Sequence, residues 1–139
     1  MNKKIIILPF FIIAAIGSIA SITIHISSLL NKEIFKGSLD TLAKFLIVIW
    51  IPVIIATFAH GKEYNINMNI NMRNFFGLDG YFHNCPPWMK YIALGLWPYI
   101  IFIGIFVLLG FGNETFISSG FVLIFYFTGF CVLYSYMNN

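Results

Sequence analysis

The residue best suited to chemistry in this sequence is His25. It stands in a long apolar run with Ala14, Ser18, Ser21 and Ser28, at steps of four, three, four and three. That spacing puts all five on one face of a helix. Small and hydroxylated residues let helices approach closely and hydrogen-bond in lipid, so this face is expected to turn toward a bundle interior. Gly17 and Ser21 add a second small pair beside it. An ionisable group inside an apolar segment is a candidate for a proton relay or a ligand contact. The competing reading is a neutral imidazole bonded to a serine or a backbone carbonyl across the bundle. The five acids, Glu33, Asp40, Glu63, Asp79 and Glu114, all fall outside the apolar stretches. His25 therefore has no carboxylate partner, which favours the neutral ring and leaves coupled transport without its usual midplane charge.

The remaining reactive residues form no constellation. Cys85 and Cys131 lie 46 positions apart without a CxxC motif, and a bridge between them would need both sulfurs at one depth. His60, Met68, Met72, His83 and Cys85 are soft or borderline donors whose spacing matches no tight metal motif, so neither metal nor cofactor is expected. No nucleophile–base pair or phosphate-cradling loop occurs, and a non-enzymatic protein is expected. The longest basic run is Lys3-Lys4, so nucleic acid is not an expected partner.

The elements that carry these residues follow from composition. Of 139 residues, 60% are hydrophobic and only 9% charged, with mean hydropathy +0.89. Soluble domains carry about 25% charge, so a water-soluble globule is excluded and a multi-span membrane protein is implied. A bilayer core needs about 20 apolar residues per helix, whose backbone must be satisfied within the segment. The apolar stretches predict an all-α bundle of four transmembrane helices at about 5–30, 41–60, 88–111 and 116–137, in a single domain with one larger loop, 61–87. Lys3, Lys4, Lys62, Arg73 and Lys90 fall on one side, Lys32, Lys36 and Lys44 on the other. The positive-inside bias then places both termini in the cytoplasm. Ser18-Ile19-Ala20 imitates a signal-peptide cleavage site, but the apolar run continues well past Ala20 and retention of residues 1–20 is expected.

Two features mark the long loop. From Tyr64 to Met72 apolar and polar residues alternate strictly, with Tyr64, Ile66, Met68, Ile70 and Met72 on one face. Period two is the signature of a strand, which must pair with a hairpin mate, another subunit or a partner's edge. A segment lying on the headgroups and an Asn-rich tract without structure are the alternatives. The string Cys85-Pro86-Pro87-Trp88 reads as an interfacial helix start, with Asn84 or Cys85 as cap, prolines in the first turn and Trp88 and Lys90 as anchors.

Cys85-Pro86-x-Trp88-Met89, with Tyr99, Ser119-Gly120, Phe125-Tyr126 and Leu133-Tyr134-Ser135, resembles a group of small bacterial multi-span membrane proteins. These carry C-P-x-W-M before the penultimate span and S-G-H-W-M…F-Y…Y-S in the last. Phe121 and Val122 stand where that pattern has His and Trp. The resemblance covers about residues 75–136 and implies membrane architecture but no activity.

The function expected from the sequence is contact with another protein in a bacterial inner membrane. Its most concrete form is an immunity protein that neutralises a toxin, with residues 64–72 as the recognition segment. The alternative is a small channel, exporter or accessory membrane subunit, with a polar path lined by the Ser18, Ser21, His25 and Ser28 face. Either protein would have the bilayer as its solvent, and a homo-oligomer is a further expected association.

Overall fold

The computed structural model describes residues 3–30, 36–61, 82–111 and 114–138. Within these the chain forms four helices and no strand: α1 (Lys3–Leu29), α2 (Lys36–Gly61), α3 (Pro87–Leu108) and α4 (Glu114–Met137). Three of them, α1, α3 and α4, are long and apolar enough to cross a membrane. In α2, which runs over 26 residues, the stretch Thr41–Thr57 is apolar among the described residues. The alternating segment Tyr64–Met72 lies outside the described residues.

Chain chemistry sets the ends of α3. Pro87 occupies its first turn, where a missing N–H costs nothing. The cap expected from Asn84 or Cys85 is instead Pro86, with no side-chain capping bond. Asn84 and Cys85 belong to a turn, closed by Cys85 N–H to Phe82 O at 3.0 Å, and their side chains point elsewhere. The far end stops at Leu108, three residues before the boundary expected from hydropathy. Gly110 adopts φ +80°, a left-handed conformation that glycine reaches without steric cost. Its N–H meets Val107 O at 2.9 Å, and Phe111 N–H reaches Phe106 O at 3.1 Å. The rings of Phe106 and Phe111 pack 5.5 Å apart across this stop, completing a Schellman motif with its apolar contact.

The helices alternate in direction around α4. Phe11, early in α1, stacks on Phe130, late in α4, so those two run antiparallel. Tyr126 and Tyr136 donate to Leu46 O and Thr57 O of α2, so α2 and α4 run parallel. Cys85 at the start of α3 meets Cys131, while Phe106 near its end meets Phe116, which makes α3 antiparallel to α4. Helices α1 and α2 pack on each other and on α4, whereas the backbone of α3 lies close to α4 alone and α3 reaches α1 through the Tyr99 side chain. Accordingly α4 is buried on most sides, and α3 buries only Met89, Ala93 and Ile103. Large aliphatic side chains such as Ile5, Ile16, Ile19, Val48, Ile55, Ile101 and Leu108 face outward. An apolar exterior of this kind matches lipid as solvent.

Glycine sets the closest approaches. A Cβ on Gly17 would overlap the ring of Tyr126, and one on Gly129 would sit 3.1 Å from Val53 Cγ1. The first contact lets an aromatic ring lie directly on the backbone of α1. Gly17→Leu should therefore destabilise the bundle by about 1–3 kcal/mol, the usual cost of overpacking. Gly95→Ala, where an added methyl meets nothing, should change stability by less than about 0.5 kcal/mol. Unfolding of both variants in detergent, followed by circular dichroism, checks the difference; equal stability for the two would remove the close-approach argument.

Candidate functional site

His25 sits one turn before the end of α1, and two other helices supply its partners. Its Nδ1 lies 2.9 Å from Ser119 Oγ, in the second turn of α4. Its Nε2 lies 2.9 Å from Tyr99 Oη, in the middle of α3. The ring stacks on Phe116 at 4.5 Å and 18°, and His25 and Ser119 are only 5% and 1% exposed. The neutral-imidazole reading calls for a serine or a carbonyl across the bundle; the fold brings the ring two hydroxyls, from Ser119 and Tyr99.

The direction of these bonds follows from proton counting. A serine hydroxyl has one proton to give. In the tautomer with the proton on Nδ1, Ser119 gives its own to Phe116 O at 3.2 Å and its oxygen accepts from His25 Nδ1–H. The neutral imidazole then has Nε2 free to accept from the Tyr99 hydroxyl. Tyrosine, histidine, serine and a helix carbonyl thus form one chain in which every described proton has a destination. The ring's approach depends on Gly120, where a Cβ would lie 3.1 Å from His25 Cε1 and would overlap Ile103 Cδ1.

A serine beside an imidazole is also the first requirement of nucleophilic catalysis. Here Ser119 Oγ also reaches Phe116 O, and Phe116 and the Ile103–Gly120 contact pack against the imidazole. The arrangement is a closed lock across three helices.

The other residues of the α1 face turn back on their own helix. Ser18 donates to Ala14 O at 2.8 Å, Ser21 to Gly17 O at 2.6 Å and Ser28 to His25 O at 2.7 Å. This is the usual answer of a helical serine with no other acceptor. The face is buried as a unit.

A second polar contact lies at the opposite end of α4. The Phe82–Cys85 turn docks there through Asn84 N–H to Ser135 Oγ at 3.2 Å, Asn84 Nδ2 to Ser135 O at 3.4 Å and Cys85 Sγ to Cys131 O at 3.0 Å. Both cysteines are free and buried. A hydrogen bond from the Cys131 thiol holds the Cys85 thiol below its ordinary range; the Lys90 charge and a backbone contact at Ser135 add to this, and burial opposes it. In the remainder of the helix-start string, Pro87 opens α3 and Trp88 is exposed, as an interfacial anchor would be.

Between α2 and α4 runs a groove of about 300 Å³, with walls that include Ile47, Trp50, Phe121 and Phe125. Trp50 packs against Phe125 with ring centroids 4.6 Å apart and planes tilted by 35°, and its indole N–H meets no acceptor among the described residues. Nothing in this lining is acidic or basic. Among the described residues no three His, Cys, Asp or Glu side chains come together in a metal-binding group. Tyr64, Ile66, Met68, Ile70 and Met72 lie outside the described residues, so the proposed soft-donor set and recognition face have no geometry here.

No family model matches the chain, and neither a curated protein nor a solved structure shows detectable similarity to it.

Hydrogen bonds between membrane helices contribute about 0.6 kcal/mol on average and at most about 1.7. Ser119→Ala and Tyr99→Phe should each cost an amount within this range. In a His25→Ala background both substitutions should cost close to nothing, because the ring that pairs with them is gone. Denaturant titrations of the reconstituted single and double variants measure the coupling, and strictly additive costs would show that the three groups do not act as a unit.

Proposed function

We propose that the chain is a four-span protein of the bacterial inner membrane, with both termini in the cytoplasm, that works without catalysis by contact with another protein. In its most concrete form it neutralises a membrane-acting toxin. What carries this reading is the closure of the polar interior. Both ring nitrogens of His25 are committed to Ser119 and Tyr99, and Ser18, Ser21 and Ser28 are committed to carbonyls of α1. With their bonds made to one another and to the backbone, these groups of the His25 face are not left over for a substrate. The protein's specificity then has to come from surfaces that lipid or a partner can touch: the outward helix faces and the 61–87 loop.

In that loop, the period-two face of Tyr64, Ile66, Met68, Ile70 and Met72 offers strand addition to a partner's edge. Main-chain hydrogen bonds would supply affinity, and the side chains would supply register. The alternating direction of the helices is compatible with termini on one side, and the apolar α1, α3 and α4 with insertion in a bilayer.

The competing reading, a channel, exporter or accessory subunit, needs the serine–His25 face to meet water. It is favoured by one feature only, the unbroken hydrogen-bond chain from Tyr99 through His25 to Ser119, which has the form of a short proton relay.

One set of experiments separates the two. Deleting the gene should sensitise cells to a pore-forming or secreted toxin encoded beside it, and re-expression should restore protection. Scrambling residues 64–72, with membrane insertion intact, should abolish protection. Full protection after that change would defeat the loop proposal. His25→Ala should leave proton flux in reconstituted vesicles unchanged; a loss of flux would transfer the case to the relay.

A further inference from the structure

The two cysteines, far apart in sequence, meet at the point where the long loop rejoins the bundle. Cys85 ends the turn before α3, and Cys131 lies six residues from the end of α4. The Cys85 thiol donates to Cys131 O at 3.0 Å, and both side chains are buried, at 6% and 0% exposure. The core around them is apolar and includes Phe82, Met89, Val132 and Tyr136. Nothing in the non-catalytic reading uses this pair. A packing role alone would be served by one small apolar residue at each position, with no need for a thiol set against the backbone of a second cysteine.

We infer that Cys85 and Cys131 form a reversible intramolecular disulfide that locks the Phe82–Cys85 turn onto α4. The oxidant is a small disulfide. The Cys85 thiolate attacks one sulfur of it, forming a mixed disulfide and releasing one thiol. Cys131 then loses its proton and attacks the Cys85 sulfur, releasing the second thiol. Two thiols become one S–S bond, and two electrons and two protons pass to the oxidant, which leaves as two thiols. Cys85 is the attacking group because it ends an irregular turn at the edge of the bundle, with Lys90 one turn on. Cys131 lies inside a helix and serves as the resolving sulfur.

The consequence follows from how the turn is now held. Its other ties to α4 are two long hydrogen bonds from Asn84 to Ser135, at 3.2 and 3.4 Å. Bonds of that length are at the weak end of the range. A covalent tie would fix the C-terminal root of the 61–87 loop to the central helix, so the loop would be anchored in oxidising conditions and released in reducing ones. The effect on recognition rests on the proposed role of the loop; the bond itself does not.

The test uses the full chain in detergent, treated with oxidised glutathione, then denatured and alkylated with a polymer-linked maleimide. Reduced protein should take up two maleimides. Oxidised protein should take up none, remain monomeric, and lose the mass of two hydrogens. Cys131→Ser should instead trap one glutathione on Cys85. Two reactive thiols after oxidation, dimers linked between chains, or glutathione persisting on the unsubstituted protein would each overturn the proposal. Hydrogen exchange at the Asn84 and Cys85 amides should slow at least tenfold on oxidation, and unchanged exchange would overturn the anchoring. Loss of toxin protection bears on the functional reading alone, since neither mass nor exchange depends on it.

Discussion

A polar group inside an apolar bundle must find its partner within the protein, because neither lipid nor distant water can supply one. That constraint shapes every part of the described structure. The imidazole of His25 is the largest polar group it acts on, and the answer uses three helices. Tyr99 gives a proton to one nitrogen, Ser119 takes one from the other, and Phe116 O accepts the proton that Ser119 has left. Removing any member would strand another in an apolar environment. Tyr126 and Tyr136 obey the same rule when they reach across to carbonyls of α2, one before and one after Pro52. The serines of α1, with no neighbour close enough, return to their own backbone.

Helix α4 answers the constraint for the whole molecule. It supplies Ser119, Tyr126, Cys131, Ser135 and Tyr136, so each neighbouring helix bonds to it or through it. The packing is uneven as a result. Helix α1 lies close because Gly17 admits the ring of Tyr126, whereas α3 lies against α4, meets α1 through Tyr99 and buries few side chains. What ties α3 down is local: the Asn84–Cys85 turn at its start, Tyr99 in its middle and Phe106 against Phe116 near its end. The first of these is the weakest in hydrogen-bond terms and the only one with paired thiols.

The sequence made much of this legible. Uncharged apolar runs located the helices, because lipid tolerates almost nothing else, and the step of three and four placed His25 on one face with its serines. Boundaries moved where local chemistry overrode hydropathy. Gly110 ends α3 although Leu109 and Phe111 would extend the apolar count, and Lys36–Asp40 joins α2 although it is polar. Asn84 looked like a helix cap because asparagine commonly is one. With Pro86 and Pro87 two and three residues on, both of the N–H donors an Asn84 cap would serve are missing, and the asparagine bonds to Ser135 instead. Ser119 and Tyr99 could not be found as partners of His25. Each is a single hydroxyl, 94 and 74 residues away, and no periodicity links residues on different helices. The adjacent Ser119-Gly120 was the one available hint, since small residues mark close crossings.

The same constraint explains why the interior and the proposed function separate. A buried polar network is specific only when all its members are satisfied, and once satisfied it is inert toward ligands. Evolution of such a bundle can therefore fix the His25 lock for architecture while leaving the outward faces and the long loop free to vary with a partner. A ligand that bonded the His25 ring would have to displace Ser119 or Tyr99 from it. It is the Cys85–Cys131 pair, chemically unfinished and placed at the loop's root, where the described residues retain capacity for a change of state.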